Sequence, residues 1–280
     1  VNTILTITRL TFHEAWRRRM VVIALLLGAA FILLYSLGFA LISAEMRRED
    51  MPAVIRPAAY NFFMMAGLYV VHFLGVMLAI FASVDAISGE IVSHTIQTIV
   101  AKPVRRWQVL FGKWLGNAAM LLVYLLILAG GVIGSTFWQV GYLPPNAIQG
   151  LSLLMLEGLV LMSLSMLGGT RLSTMSNGVT LFMLYGLAFI GAWVEQIGAI
   201  FQSAAAVRVG IVTSLLMPVE ALWRRAAHLM QEPITVFGDY GFQSPFAAYS
   251  VPSPAMVVYG VVYVVAALML AMRAFSRRDL

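Results

Sequence analysis

Glu90, Ser93, His94 and Gln97 recur at i, i+3, i+4 and i+7 within a polar interruption, Asp85 to Gly112, that separates two long apolar stretches. At 100° per residue they share one helix face, while Val92, Ile96, Ile99 and Val100 take the other. A carboxylate, a hydroxyl, an imidazole and an amide on one stripe are suited to contact with a partner protein. Pro103 closes this short amphipathic helix, because the residue before a proline is disfavoured in helical geometry. A new helix is expected near Val104, with Arg105 and Arg106 at headgroup depth and Lys102 just before them. Each basic residue there gains about 1 kcal/mol from anionic lipid.

Glu157 and His72 are the other candidates, because both lie inside apolar runs. A charged side chain at the centre of a membrane helix costs at least about 2.5–3.5 kcal/mol on insertion scales. Glu157 is therefore expected to face the bundle interior or water, lining a translocation path or a dimer seam, or to be a hydrogen-bonded packing residue. His72 reads as a possible path residue or as a satisfied core histidine. Glu195, near the outer end of its run, is expected to be wet. Metal chemistry has no sequence support: His13, His72, His94 and His228 are far apart, there is no H-E-x-x-H, and cysteine is absent. Nor is there a nucleotide-cradling G-x-x-x-x-G-K-[ST] loop; Gly112–Lys113 is the only Gly-Lys pair, with neither the upstream glycine nor the following hydroxyl.

The elements that position these residues follow from composition. With 61% hydrophobic and 11% charged residues over 280 positions and a mean hydropathy of +0.90, the chain is an all-α polytopic membrane protein. Spans of about 20 apolar residues are expected near Val21–Ser43, Asn61–Ser83, Lys113–Phe137, Leu151–Gly168, Val179–Gly198 and Ala255–Met272. The first is too long for a cleaved signal peptide. Residues 1–20 read as an interfacial elbow helix with a Glu14–Arg18 pair at i, i+4. Residues 199–254 read as an external or interfacial segment. Val207, Ile211, Leu215, Leu222 and Leu229 recur there beside Arg208, Arg224 and Arg225, which fits an amphipathic or re-entrant helix better than a seventh span, and Pro218 should bend or restart it. Gly112/Gly116 and Gly130/Gly134 each form a G-x-x-x-G that permits close helix approach. The whole chain, 1–280, reads as one transmembrane domain.

Basic residues set the expected orientation. An inside N-terminus places Arg9, Arg17, Arg18, Arg19, Lys102, Arg105, Arg106, Lys113, Arg171, Arg273, Arg277 and Arg278 on the cytoplasmic side. Arg47, Arg48, Arg56, Arg208, Arg224 and Arg225 fall outside, the first two offset by Glu45, Glu49 and Asp50. Both termini and the Asp85–Gly112 segment are thus expected to be cytoplasmic. The net charge of +6 reads as topology and lipid contact, not nucleic-acid binding.

The run Ile87–Gly116, ISGEIVSHTIQTIVAKPVRRWQVLFGKWLG, resembles the segment between the second and third spans of bacterial and archaeal ABC-2 type permeases, the membrane subunits of type V ABC transporters. Glu90, Thr95–Gln97–Thr98, Lys102–Pro103, Arg106 and Gly112–Lys113 match that pattern; His94 departs from it, standing where glycine is frequent. The resemblance implies a multi-pass permease of a prokaryotic cell (inner) membrane that is not itself an enzyme. It further implies two separate ATPase subunits that carry ATP and Mg, and a second permease copy or a related permease. The polar segment would then be a coupling helix, with Glu90, Ser93, His94, Gln97, Lys102, Arg105 and Arg106 meeting the ATPase. No cofactor is expected on this chain, membrane lipids are expected partners, and export is implied over import. On the residues alone an ion-coupled secondary transporter and a non-transporting membrane adaptor stay open, and the substrate is unreadable.

Overall fold

A computed structural model of the chain describes residues 2–48, 52, 55–92, 105–231 and 249–277, with the side chains of residues 2 and 90–92 excepted. Among these residues there is no strand, and nine helices follow one another: α1 (Asn2–Arg17), α2 (Arg19–Arg48), α3 (Arg56–Val92), α4 (Arg106–Val140), α5 (Ala147–Gly169), α6 (Thr174–Ile200), α7 (Ala204–Leu216), α8 (Val219–Met230) and α9 (Ala255–Ser276). The six expected spans correspond to α2, α3, α4, α5, α6 and α9. All six run longer than the apolar windows that announce them. At 1.5 Å per residue the 37 residues of α3 extend about 55 Å, well beyond a hydrocarbon core of about 30 Å.

Local chemistry explains the breaks. Glu14 and Arg18 form the expected pair at 3.0 Å, and the helix interrupts at Arg18 before α2 begins. Gly141 ends α4 in the left-handed region, φ +70°, with its N–H donating to Phe137 O at 2.8 Å, a conformation that glycine adopts without penalty. Ser173 caps α6, its Oγ accepting from Ser176 N. Pro218 has no N–H to continue α7, and α8 starts after it at a bend of 108°.

The contacts sort the bundle into two ends. At one, Ile87 of α3, Leu110 of α4, Met166 of α5, and Ala271 and Phe275 of α9 share a small core, and α1 lies along the start of α4. The start of α1 and the end of α9 belong to this end. A methyl group added at Gly112 would fall 2.8 Å from Ile7, and one at Gly116 would fall 2.8 Å from the Thr8 carbonyl. The first G-x-x-x-G is therefore filled by α1, whereas a methyl group added at Gly130 or Gly134 meets nothing within 4 Å among the described residues. At the far end Asn61 of α3 donates to Tyr142 Oη and Met230 O, both at 2.8 Å.

The α7–α8 pair starts and finishes at this far end. Helix α7 packs antiparallel along α6, with Ala206 against Gly198 and Thr213 against Gly191. After the bend, α8 returns to place Met230 against Gly150 at the start of α5. The segment is thus a re-entrant hairpin, in agreement with the sequence reading and without a seventh crossing. Two tyrosines of α9 hold its turn: Tyr259 donates to Leu215 O at 2.5 Å and Tyr263 to Leu216 O at 3.0 Å, satisfying carbonyls that a helix end leaves open.

Helix α2 is peripheral. Only 11% of its apolar window is buried, so most of its leucines face lipid or another subunit.

Candidate functional site

Four helices converge on His72 near the middle of the bundle. Its Nδ1 lies 2.8 Å from Glu157 Oε1 of α5, its Nε2 3.3 Å from Glu220 Oε1 of α8, and Tyr185 Oη of α6 is 3.5 Å from the same Nε2. His72, Glu157 and Glu220 are all at least 96% buried, with exposures of 1%, 1% and 4%. Trp223 stacks on the imidazole with centroids 5.0 Å apart and planes at 24°, and Tyr69 sits 5.8 Å away. The two aromatic rings pack against the imidazole and shield the cluster.

Hydrogen-bond accounting limits its charge. Each of the two imidazole–carboxylate contacts needs one proton, so filling both places two protons on three groups. Either the imidazolium donates to two carboxylates, or a neutral imidazole donates to one carboxylate and accepts from the other, protonated, carboxyl. Both arrangements leave the triad at net −1. Glu157 Oε2 has no partner among the described residues, so a third proton, or the donor group of a substrate, has an acceptor waiting there. The cluster can thus take up and release a proton, or bind a donor, at mid-bundle.

One helical turn along α8 from Glu220, Arg224 forms a second buried assembly. Its Nη1 and Nη2 each lie 2.8 Å from one oxygen of Glu195 of α6, the two-pronged geometry in which a guanidinium matches a carboxylate best. Nη2 also donates to Ser214 Oγ of α7 at 3.3 Å and Nη1 to Ser250 O at 3.3 Å, while Ser250 Oγ donates to Glu195 Oε1 at 2.6 Å. The sequence expectation for Glu195 is corrected here. It is 3% exposed, because the hairpin folds back over the C-terminal end of α6: the helices touch at Gly210, where an added methyl group would fall on the Glu195 side chain.

Of the coupling residues expected from sequence, Ser93, His94, Gln97 and Lys102 lie outside the described residues, as does the side chain of Glu90. The backbone adds one change to the expected short helix at 87–100: Ile87 to Val92 continue α3 without a break. On the other side of the gap, Arg105 is exposed and its N–H donates to Gln108 Oε1 at 3.4 Å, and Arg106 opens α4 as expected. The α3 flank is anchored to α6. Ser88 and Thr174 share a 2.9 Å hydrogen bond between α3 and α6, and Thr174 donates to Asp85 at 3.4 Å.

The structure therefore brings His72 and Glu157 together and adds Glu220, Tyr185, Trp223 and the Glu195–Arg224 pair, none of which was singled out as a site residue from sequence. The spacing of Glu220 and Arg224 at i, i+4 was a usable signal, since opposite charges one turn apart in an apolar setting imply partners on neighbouring helices.

Comparison with known proteins agrees with this architecture. The model of the family described as ABC-2 family transporter protein matches residues 6–280. No curated protein matches the chain.

Proposed function

We propose a function from the premise that this chain belongs to the ABC-2 family of transporter proteins and is a multi-pass membrane permease subunit of an ABC transporter. The family implies work with ABC ATPase subunits. The finer reading is an exporter built from two permease halves and two separate ATPase chains that hold ATP and Mg, set in a prokaryotic cell membrane with both termini cytoplasmic. Its coupling contact is Glu90, Ser93, His94 and Gln97, supported by Lys102, Arg105 and Arg106. Its route passes His72 and Glu157.

The continuity of α3 carries this reading. One unbroken helix runs from the start of the coupling segment to the buried triad, and Ser88 and His72 are 16 positions, about 24 Å, apart along it. A push delivered at the segment by an ATPase would move His72 as part of a rigid rod. On the far side the re-entrant hairpin meets the same histidine through Glu220. An inner lever and an outer plug that share one residue are what alternating access requires. The triad also suits ion coupling, yet a secondary transporter has no use for a partner-facing polar segment at the base of the rod.

The test is affinity purification from native membranes, comparing wild type with a Glu90→Arg, His94→Glu double variant. A P-loop ATPase should accompany the wild type and be lost from the variant. Absence of any ATPase from the wild type after mild crosslinking would overturn the coupling assignment, and so would undiminished recovery with the variant.

A further inference from the structure

Three arginines from two elements converge on one cavity at the end of the bundle where α9 finishes. Arg171 follows α5 in the turn to α6; Arg273 and Arg277 stand one helical turn apart at the end of α9. The cavity, about 540 Å³, is also lined by Leu167, Leu172 and Leu270. No Asp or Glu lines it, and among the described residues no carboxylate pairs with any of the three guanidiniums. We infer that this is a binding site for an acidic phospholipid, the phosphate held by Arg171, Arg273 and Arg277 and an acyl chain lying over the leucine wall.

Complementing the C-terminal dipole of α9 explains a basic residue in its last turn. It does not explain why Arg171, from another element, lines the same cavity. Nor do topology signals require unpaired cations to share a concave site with apolar walls. The walls decide the ligand class. Leu270 is 55% and Leu172 37% exposed, and the bundle surface they join faces acyl chains, so the ligand is an amphiphile and not a free anion. Depth agrees: Arg273 also lines a groove with Trp107 and Phe111 on the other flank of α9, and indoles collect at headgroup level. Basic pockets between membrane helices hold acidic headgroups by the same charge pairing. The inference does not depend on the coupling assignment, because neither the ATPase nor the segment 93–104 enters it.

The test is native mass spectrometry of the delipidated full chain in detergent, titrated with dioleoyl phosphatidylglycerol or dioleoyl phosphatidylcholine. One phosphatidylglycerol should bind in clear preference to phosphatidylcholine. Each of Arg171→Gln, Arg273→Gln and Arg277→Gln should weaken it about fivefold, and the triple variant roughly a hundredfold. Arg47→Gln with Arg48→Gln at the opposite end should leave it unchanged. Should the triple variant not fold, the single variants at these exposed positions supply the same comparison. Equal binding of the two lipids, full retention by the arginine variants, or an equal loss in the Arg47/Arg48 control would overturn the site. Displacement of the lipid by millimolar inorganic phosphate would also overturn it, in favour of a simple anion site.

Discussion

Replacing Glu195 by Gln should loosen the re-entrant hairpin, and the structure sets how far. Arg224 and Glu195 are 4% and 3% exposed and joined by two 2.8 Å contacts. The amide can still accept one hydrogen bond but carries no charge. The guanidinium then keeps only Ser214 Oγ and Ser250 O as further acceptors, and its Nε already has none among the described residues. Removing one partner of a buried ion pair costs about 3–5 kcal/mol, and the retained acceptors favour the lower figure. About 3 kcal/mol is roughly a 150-fold rise in the equilibrium for undocking α8. The chain has no cysteine, so Ala221→Cys, on α8 at 0% exposure, supplies a reporter without background. Maleimide labelling in membranes should be about a hundredfold faster in Glu195→Gln, Ala221→Cys than in Ala221→Cys alone. Glu195→Leu with Arg224→Met removes both charges and should restore slow labelling. A change below about threefold in the single variant would refute the latch; equal opening in the double variant would refute an orphaned charge as its cause.

Five other substitutions follow from contacts elsewhere in the bundle. Glu157→Gln removes the carboxyl group that faces His72 at 2.8 Å, and losing a hydrogen bond to a charged group costs about 1.5–3 kcal/mol, so transport should fall at least about tenfold with membrane abundance unchanged; normal transport would remove Glu157 from the proposed route. Gly116→Ala pushes a methyl group to 2.8 Å from the Thr8 carbonyl and 2.7 Å from Thr11 Cβ and should cost about 1–3 kcal/mol in a detergent melt. Gly130→Ala, with open space around it, should be neutral or gain up to about 1 kcal/mol in the same assay. Tyr259→Phe and Tyr263→Phe each release one carbonyl at the hairpin turn and should cost about 0.6–2 kcal/mol, read as faster labelling at Ala221→Cys.

How much of this was legible in the sequence depends on whether the signal is local. Span number and order follow from hydropathy, since each span is a contiguous run that must satisfy its own backbone. Their ends do not, because α3 and α4 continue past the apolar window on polar residues that water and headgroups tolerate. Pro218 and the mixed charges of 204–230 pointed to a bent, non-crossing segment for the same local reason. The two glycine pairs looked alike in sequence, yet Gly112 and Gly116 face α1 while an added methyl group at Gly130 or Gly134 would meet none of the described residues within 4 Å. That difference lies in a helix a hundred positions away.

The buried triad shows where local reading stops. Glu157 and His72 announce themselves because a charge in an apolar run is costly wherever it points. Their 2.8 Å contact joins residues 85 positions apart, and Glu220 is 148 positions from His72. Glu220 also looked unremarkable, sitting beside Arg224 and Arg225 in a segment that read as interfacial or re-entrant, and at an interface charges are cheap. Once the hairpin inserts, the same residue becomes a buried charge that requires a partner, and His72 is the group within reach. Glu195 was misplaced by the same logic in reverse: nearness to the end of a span implies water only if nothing folds over that end. The misplacing of Glu195 and the passing over of Glu220 therefore have one cause, the contacts that insertion of α7 and α8 creates. A variant that holds the hairpin out should expose Glu195, Glu220 and His72 together.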